Sequence, residues 1–431
     1  MPPELGQLTR LVVLTDFFVG KQGSSSIAEL GPLEHLRGEL RIWNLKNILD
    51  TCHAMDANLK GKRFIEKLEL RWNPSINYME CETNDDRDDS LLRTTRLVDS
   101  IPRAPSVNVM KLGNPLRLER SPSGLYNLEL KSMDYTLDTF LKIIENVGCS
   151  DSLLEGIDIR ECDEIRCFQL GRFQNLSRLS VRSCLRFESL SGYEEAGPLT
   201  SLQYLNICGW SSFTSFQGGG ILHAPNLRVL DIYDANVLES LPKNMPSLLP
   251  SLTELSLFRC TKLKSFPEGG LPSSIEKLKI ALCDGIESPP EGGFPSNLKE
   301  LHIWGCDKLV ANRSNWGLGT LPSFLSLRME SCKEVESFPE ERLLPSSLNS
   351  LQLLYLRQLK SLDYKGLQHL CSLTELKLWG CTEVHYLPEE GLPSSLEHLE
   401  LWDCHHTLNE RCQVGGEDWP KISLIPKIKI H

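Results

Sequence analysis

The sequence predicts an α/β-type repeat solenoid, with a parallel β-sheet of short strands on a concave face and mostly irregular convex returns. Three observations predict it. The pattern L-x-x-L-x-L-x-x-C recurs, as at Leu252, Leu255, Leu257 and Cys260, and at Leu373, Leu376, Leu378 and Cys381. Its ninth position falls at residues 162, 184, 210, 235, 260, 283, 306, 332, 356, 381 and 404, a spacing of 22–26 residues. Between copies run stretches such as "FPEGGLPSS" (266–274), where glycines permit positive φ and Pro272 lacks a donor, so helix is disfavoured.

The L-x-L core reads as a strand whose alternate side chains point to one face. The first leucine of each copy, and residues after the cysteine such as Leu263 and Phe266, close the rest of a coil. One coil cannot bury these residues alone, so neighbours must stack. The period of about 24 residues is that of a leucine-rich repeat, and parallel strands backed by bulkier returns bend such a stack into a horseshoe. Eight of the eleven ninth positions are cysteine. A small, apolar, weakly donating thiol suits a turn at the end of a strand. Trp210, Ala235 and Leu356 fill the same slot, so no thiol chemistry is required of it.

The regular repeats span 125–404. Residues 1–73 follow the scheme less regularly, through Leu8, Leu11 and Val13, then Leu40 and Ile42, then Ile65, Leu68 and Leu70. Residues 74–124 hold one weak copy at Val107, Met110 and Leu112 and the acidic stretch "ECETNDDRDDS" (80–90), which reads as a solvated loop. It lacks the Gly and Glu placement of a calcium loop. Residues 405–431 read as a C-terminal cap in which Trp419, Ile422 and Ile425 seal the last coil. The first residues resemble the middle of a repeat, so the array is expected to start inside one.

Composition excludes several function classes. The 431-residue chain has a net charge of −11 and no basic stretch, which argues against nucleic-acid binding. No run approaches the roughly 18 apolar residues of a membrane span, and the amino terminus lacks signal-peptide character. Fifteen cysteines, spread evenly, point to reduced thiols and a cytoplasmic setting rather than a disulfide framework. No G-x-x-x-x-G-K-[ST] loop and no nucleophile–base motif is present, so neither a cofactor nor an enzymatic activity is expected. Cys404, His405, His406 and Cys412 offer metal ligands on paper, but Cys404 is a framework position and no second C-x-x-C pair follows.

Specificity in a solenoid belongs to the side chains that leave the strand face. The seventh position reads Arg160, Arg182, Cys208, Tyr233, Phe258, Ala281, Trp304, Glu330, Leu354, Trp379 and Trp402. Five of these are aromatic in a chain with 7% aromatics, and exposed aromatics concentrate at binding hot spots. Arg259 follows Phe258 at the eighth position, and the fifth carries Lys279, His302, Arg328 and Lys377. Tyr233, Phe258, Arg259, Lys279, His302, Trp304, Arg328, Lys377, Trp379 and Trp402 are therefore the candidate partner-binding residues. A protein is the partner that aromatics flanked by mixed charge suit, and the acidic balance of the whole chain leans towards a basic one. The competing expectation is that the aromatics fold over the strand edge and cover the adjoining turn.

"SSSIAELGPLEHLRGELRIWNLKNI" (24–48), "DANLKGKRFIEKLELRW" (56–72) and "LNERCQVGGEDWPKISLIPKIKI" (408–430) resemble the leucine-rich-repeat region of plant coiled-coil-class nucleotide-binding disease-resistance proteins. So does the recurring "L-P-S-S-L" return. The resemblance covers almost the whole chain, and implies defence signalling through a protein partner. That partner is a pathogen effector, a guarded host protein or the receptor's own nucleotide-binding domain. Such receptors carry a coiled-coil and a nucleotide-switch domain before the repeats, so a truncated receptor is expected. A substrate receptor of a ubiquitin ligase is the alternative, but its repeats carry a helix where this chain has Pro-Gly returns. An extracellular repeat protein would carry an L-x-G-x-I-P return, which this sequence lacks.

Overall fold

The computed structural model of the chain describes residues 222–431 without a break and most of 154–216. Before these it describes chiefly 4–20, 25–44, 56–59, 64–70, 109–112, 116–120 and 126–131. Two compact units divide the chain, Met1–Phe187 and Glu188–His431.

The first unit contains β1 (Asp16–Phe18), β2 (Arg37–Trp43), β3 (Phe64–Leu70), β4 (Val109–Leu112), β5 (Leu116–Arg120), β6 (Tyr126–Lys131), β7 (Leu154–Arg160), the short β8 (Cys167–Gln169) and β9 (Arg178–Arg182). Strands β1 to β4 run parallel, with Leu40 beside Leu68 and Ile42 beside Leu70. The weak copy expected around Met110 and Leu112 is β4, whose two residues lie beside Leu68 and Leu70. An antiparallel insert then departs from the repeat scheme: β5 pairs antiparallel with both β4 and β6. Its sequence signal is that only Gly113-Asn114-Pro115 separates it from β4, too few residues for a crossover to a parallel neighbour. Parallel pairing resumes through β6, β7 and β9. The acidic stretch 80–90 lies outside the described residues.

A buried lysine pins the start of this unit. The Lys62 ammonium donates to the carbonyls of Leu30 (2.5 Å) and Leu33 (3.1 Å), at and just beyond the end of the single 3₁₀ turn Ile27–Leu30. Orphan carbonyls at a helix end favour a cation there. Burial pushes its pKa down to about 8, against the pull of nearby Glu34.

The second unit is more regular. It contains β10 (Ser189–Ser191), β11 (Tyr204–Cys208), β12 (Val229–Tyr233), β13 (Glu254–Phe258), β14 (Lys277–Ala281), β15 (Glu300–Trp304), β16 (Ser326–Glu330), β17 (Ser337–Phe338), β18 (Ser350–Leu354), β19 (Ser361–Leu362), β20 (Glu375–Trp379), β21 (His398–Trp402) and β22 (Lys427–Ile430). Strands β11 to β16, β18 and β20 to β22 form one parallel sheet; β17 and β19 pair separately in the returns. Register never slips from β11 to β21. Leu230, Leu255, Leu278, Leu301, Leu327, Leu351, Leu376 and Leu399 lie side by side, each at most 1% exposed. A second buried row runs from Ile232 through Leu257, Ile280, Ile303, Met329, Leu353 and Leu378 to Leu401.

The returns are tied coil to coil. In each "PSS" segment the second serine donates to a backbone carbonyl of the preceding coil: Ser274 to Leu252 (2.7 Å), Ser347 to Phe324 (2.9 Å) and Ser395 to Leu373 (2.8 Å). The glycines before them take the positive φ that the sequence demanded, +83° at Gly269 and +77° at Gly270. Trp316 is the largest fully buried side chain among the described residues, and its indole N–H donates to the Leu309 carbonyl at 3.1 Å.

No ninth-position cysteine is in a disulfide, and each thiol faces backbone carbonyls at the strand end. Cys283 donates to Ala281 at 3.3 Å, Cys332 to Glu330 at 3.3 Å and Cys404 to Leu378 at 3.3 Å. Burial pushes the Cys332 and Cys404 thiols up to about 11 and the Cys381 thiol up to about 12, and raises Cys306 as well. Thiolate is the reactive form, so these positions are inert frame.

Residues 405–431 carry two short helices, His406–Arg411 and Trp419–Ile422, before β22. Ile422 is buried, whereas Trp419 and Ile425 are half-buried. The fully buried Asp418 carboxylate ties the region to the previous coil: it accepts from Arg411 Nε (2.8 Å), lies 2.6 Å from the Lys421 ammonium, and accepts from the Leu387 backbone N–H (3.2 Å). Burial alone would raise its pKa, but the bonds from Arg411, Lys421 and Leu387 outweigh it and hold it below the usual carboxylate range.

Two outcomes follow from this frame. Mass-spectrometric mapping after brief alkylation of the native chain labels the exposed Cys167 and Cys371 and spares Cys260, Cys283, Cys306, Cys332 and Cys381, which react only after denaturation. Asp418→Ala lowers stability by about 3 kcal/mol, because it removes the buried carboxylate that Arg411, Lys421 and the Leu387 N–H share. Since the folded-state pKa of Asp418 is depressed, its contribution is complete above the ordinary carboxylate pKa and fades as pH falls through the folded value. Acid titration monitored by circular dichroism therefore shows a smaller loss between neutral and acidic pH in Asp418→Ala than in the parent chain.

Candidate protein-interaction surface

Strands β11 to β16, β18, β20 and β21 each end on the seventh-position residue of a repeat, and the residue after it turns the chain inward. That eighth residue is left-handed in all eleven regular repeats: residues 161, 183, 209, 234, 259, 282, 305, 331, 355, 380 and 403 have φ between +50° and +71°. Three are glycine; the others hold a conformation that costs roughly 1–2 kcal/mol per L-residue. The ladder offsets that cost. The eighth-residue N–H donates to the seventh-residue carbonyl of the next strand, as from Asp234 to Phe258, Arg259 to Ala281 and Gly305 to Glu330, each at 2.9 Å. The ninth-position thiol then bonds the seventh carbonyl of its own strand. A seventh side chain thus projects from backbone held on both sides.

The perfect register sets the seventh residues side by side. Tyr233 lies beside Phe258, Phe258 beside Ala281, and Ala281 beside Trp304. Ring centroids are 6.0 Å apart for Tyr233 and Phe258, and 5.7 Å apart for Phe258 and Trp304. The latter two rings meet across the small, buried Ala281. Trp379 and Trp402 form a second group at 6.4 Å, continued by His431 at 4.5 Å from Trp402. Glu330 and the buried Leu354 separate the two groups. The aromatic candidates therefore make two clusters rather than one ridge. Trp402 is 47% exposed; Tyr233, Phe258, Trp304 and Trp379 are half-buried, so their rings both cover the strand ends and remain open to a partner.

The charged candidates differ in how they are held. Arg259 is exposed, with its guanidinium 5.3 Å from the Phe258 ring centroid and 3.5 Å from Asp234. Lys377 pairs with Glu375 at 2.8 Å; burial opposes ionisation of that carboxylate, but Lys377, Ser350 and Gln352 hold its pKa below the ordinary value. Arg328 pairs with Glu330 at 2.7 Å, and His302 Nε2 lies 3.5 Å from the same carboxylate. Burial and the positive field of Arg328 lower the His302 pKa, so the ring is neutral at pH 7. Lys279 is exposed and has no ion pair among the described residues.

Sequence reasoning passed over three members of this face. Glu330, a seventh-position residue not among the candidates, is the carboxylate shared by His302 and Arg328. Tyr355, at an eighth position, is 43% exposed and lies against Gly380, where an added Cβ would meet its ring at 2.4 Å. His431 lies against Trp402, its ring tilted by 47°, because β22 brings one more strand alongside β21. The lysine–isoleucine alternation of β22 was a strand signal, masked by its place after two helical turns. Among the described residues no trio of His, Cys, Asp or Glu is placed to hold a metal ion. No described helix is long and apolar enough to cross a membrane.

Comparison with known proteins bears on this architecture. A family model described as R13L1/DRL21 leucine-rich repeats matches residues 27–97, overlapping the segments 24–48 and 56–72 singled out above. A disease-resistance-type protein of Arabidopsis thaliana is 32% identical over 271 residues, or 62% of this chain and 17% of its own length. The disease resistance RPP13-like protein 1 of the same plant is 26% identical over 269 residues, covering 59% of this chain and 23% of its own. The chain thus spans less than a quarter of the length of either relative. A solved leucine-rich-repeat protein of Leptospira interrogans aligns over 99% of this chain and 97% of its own at 15% identity, with a TM-score of 0.39. By its repeat pattern and its parallel ladder the chain is a leucine-rich-repeat array, and over about 60% of its length it is similar to plant disease-resistance proteins.

Proposed function

We propose that the chain is a non-catalytic protein-recognition module of plant innate immunity, whose strand face engages a pathogen protein, a guarded host protein or a nucleotide-switch domain of its own receptor. The observation that carries the reading is the aromatic occupancy of the seventh position. Five large rings stand at the ends of strands whose neighbouring positions are filled by buried leucine, isoleucine and cysteine. Rings partly exposed on a rigid sheet lose little conformational entropy on binding, which is why such residues dominate interface energetics. The plant relatives, all bearing disease-resistance names, support the defence setting. Cytoplasmic action is the matching location, since reduced thiols line the frame.

Replacing Trp304, Trp379 and Trp402 together with Ala tests the reading. Immobilised parent and variant chains are compared for proteins retained from infected-leaf extract, with thermal unfolding followed in parallel. At least a tenfold loss of the retained proteins is expected, with unfolding still cooperative; equal retention by the two chains rejects the surface.

A further inference from the structure

The charge on the strand face does not follow the charge of the chain. The whole chain carries −11. On β14–β16 the outward third, fifth and seventh positions carry three permanent cations, Lys277, Lys279 and Arg328, against two carboxylates, Glu300 and Glu330. Lys277 sits 3.8 Å from both Glu254 and Glu300, so the third-position row holds one cation between two carboxylates and has no cation to spare. The fifth-position row has one. Lys279, His302 and Arg328 lie side by side on adjacent strands, and Glu330 alone serves the last two. Lys279 is left with no carboxylate among the described residues.

The surroundings of this row are built for contact rather than for solvent. The neighbouring fifth position is the small, buried Ser256, and the neighbouring seventh is the small, buried Ala281. Phe258 and Trp304 close over Ala281 and form an aromatic wall along one side of the row. His302 Nε2 is buried at that wall, with only the long 3.5 Å approach of Glu330. A cation-bearing row beside an aromatic wall complements carboxylates carried next to apolar side chains. We infer that β14–β16 form the docking site for an acidic segment of the partner protein, with carboxylates meeting Lys279 and Arg328 and an apolar side chain laid on Phe258 and Trp304. This rests on the recognition reading above and assigns it a partner chemistry, the reverse of what the net charge suggested. Lys279 and Arg328 stand two strands apart, about 10 Å at the backbone, so the segment crosses the strands with acidic residues about three positions apart if extended.

The test is an unbiased selection. A random twelve-residue peptide library displayed on phage is panned on the immobilised chain, on Lys279→Glu/Arg328→Glu, and on Trp304→Ala/Phe258→Ala, with circular dichroism confirming that each variant is folded. Binders to the parent should be enriched in Asp or Glu beside aromatic or leucine residues. The charge-reversal variant should bind them at least tenfold more weakly and select Lys- or Arg-rich peptides instead, and raised salt should weaken the parent's binding. Enrichment of peptides without acidic residues, or acidic peptides insensitive to charge reversal, overturns the inference. If such peptides are still lost on Trp304→Ala/Phe258→Ala, the aromatic surface stands and only the acidic-partner assignment falls. A selection that enriches nothing overturns it too.

Discussion

The structure depends on one constraint: no coil can bury its own leucines. Each strand offers two inward side chains, and those become dry only when the same two positions of both neighbouring strands lie directly alongside. A slip of one residue would turn the whole row outward, which is why the register runs unbroken from β11 to β21. Everything exposed on the face is consequently placed by what is buried beneath it. The aromatic and charged rows line up because the leucine rows do.

The same constraint explains the turn after each strand. The chain must leave the sheet abruptly so that the ninth residue can return to the core, and a left-handed eighth residue does this in one step. Its N–H extends the hydrogen-bonded ladder beyond the strand, and the cysteine thiol bonds the seventh carbonyl from the inner side. A residue without a side-chain clash, or one with room above its neighbour, is needed there. Leu282 over Gly305 and Tyr355 over Gly380 show the second solution, a large side chain accommodated by glycine in the next coil. The turn is thus frame, yet it also holds the seventh side chain in place, so frame and recognition share atoms.

Charge is arranged with the same economy of position. In the third-position row Lys277 stands between Glu254 and Glu300, whereas the fifth-position row over β14–β16 keeps a cation without a counterpart. In an acidic chain such a local excess is maintained by the fixed strand spacing, which holds like charges side by side where flexible loops would let them part. Asp418 illustrates the opposite case. There a buried carboxylate is surrounded by two cations and a backbone N–H, and charge serves to fasten the end of the array to the coil before it.

Much of this was legible in the sequence, for a physical reason: repeat spacing and alternation report directly on which side chains face inward. The Leu252–Cys260 pattern determined the strands, the buried rows and the inert cysteines, and "PEGGLPSS" determined a non-helical return. What the tertiary structure decided lay in relations between coils that no single repeat encodes. The antiparallel β5 hides in a leucine alternation that reads like any other strand. Lys62 is a core residue only because the carbonyls of Leu30 and Leu33 converge on it. The aromatic row splits at Glu330 and Leu354, and Lys279 stands without a carboxylate, because neighbours are set by register across strands about 24 residues apart in the chain. The sequence by itself determined the frame, since burial follows from local periodicity; which surface residues cooperate was decided only when the coils stacked, since their contacts are long-range.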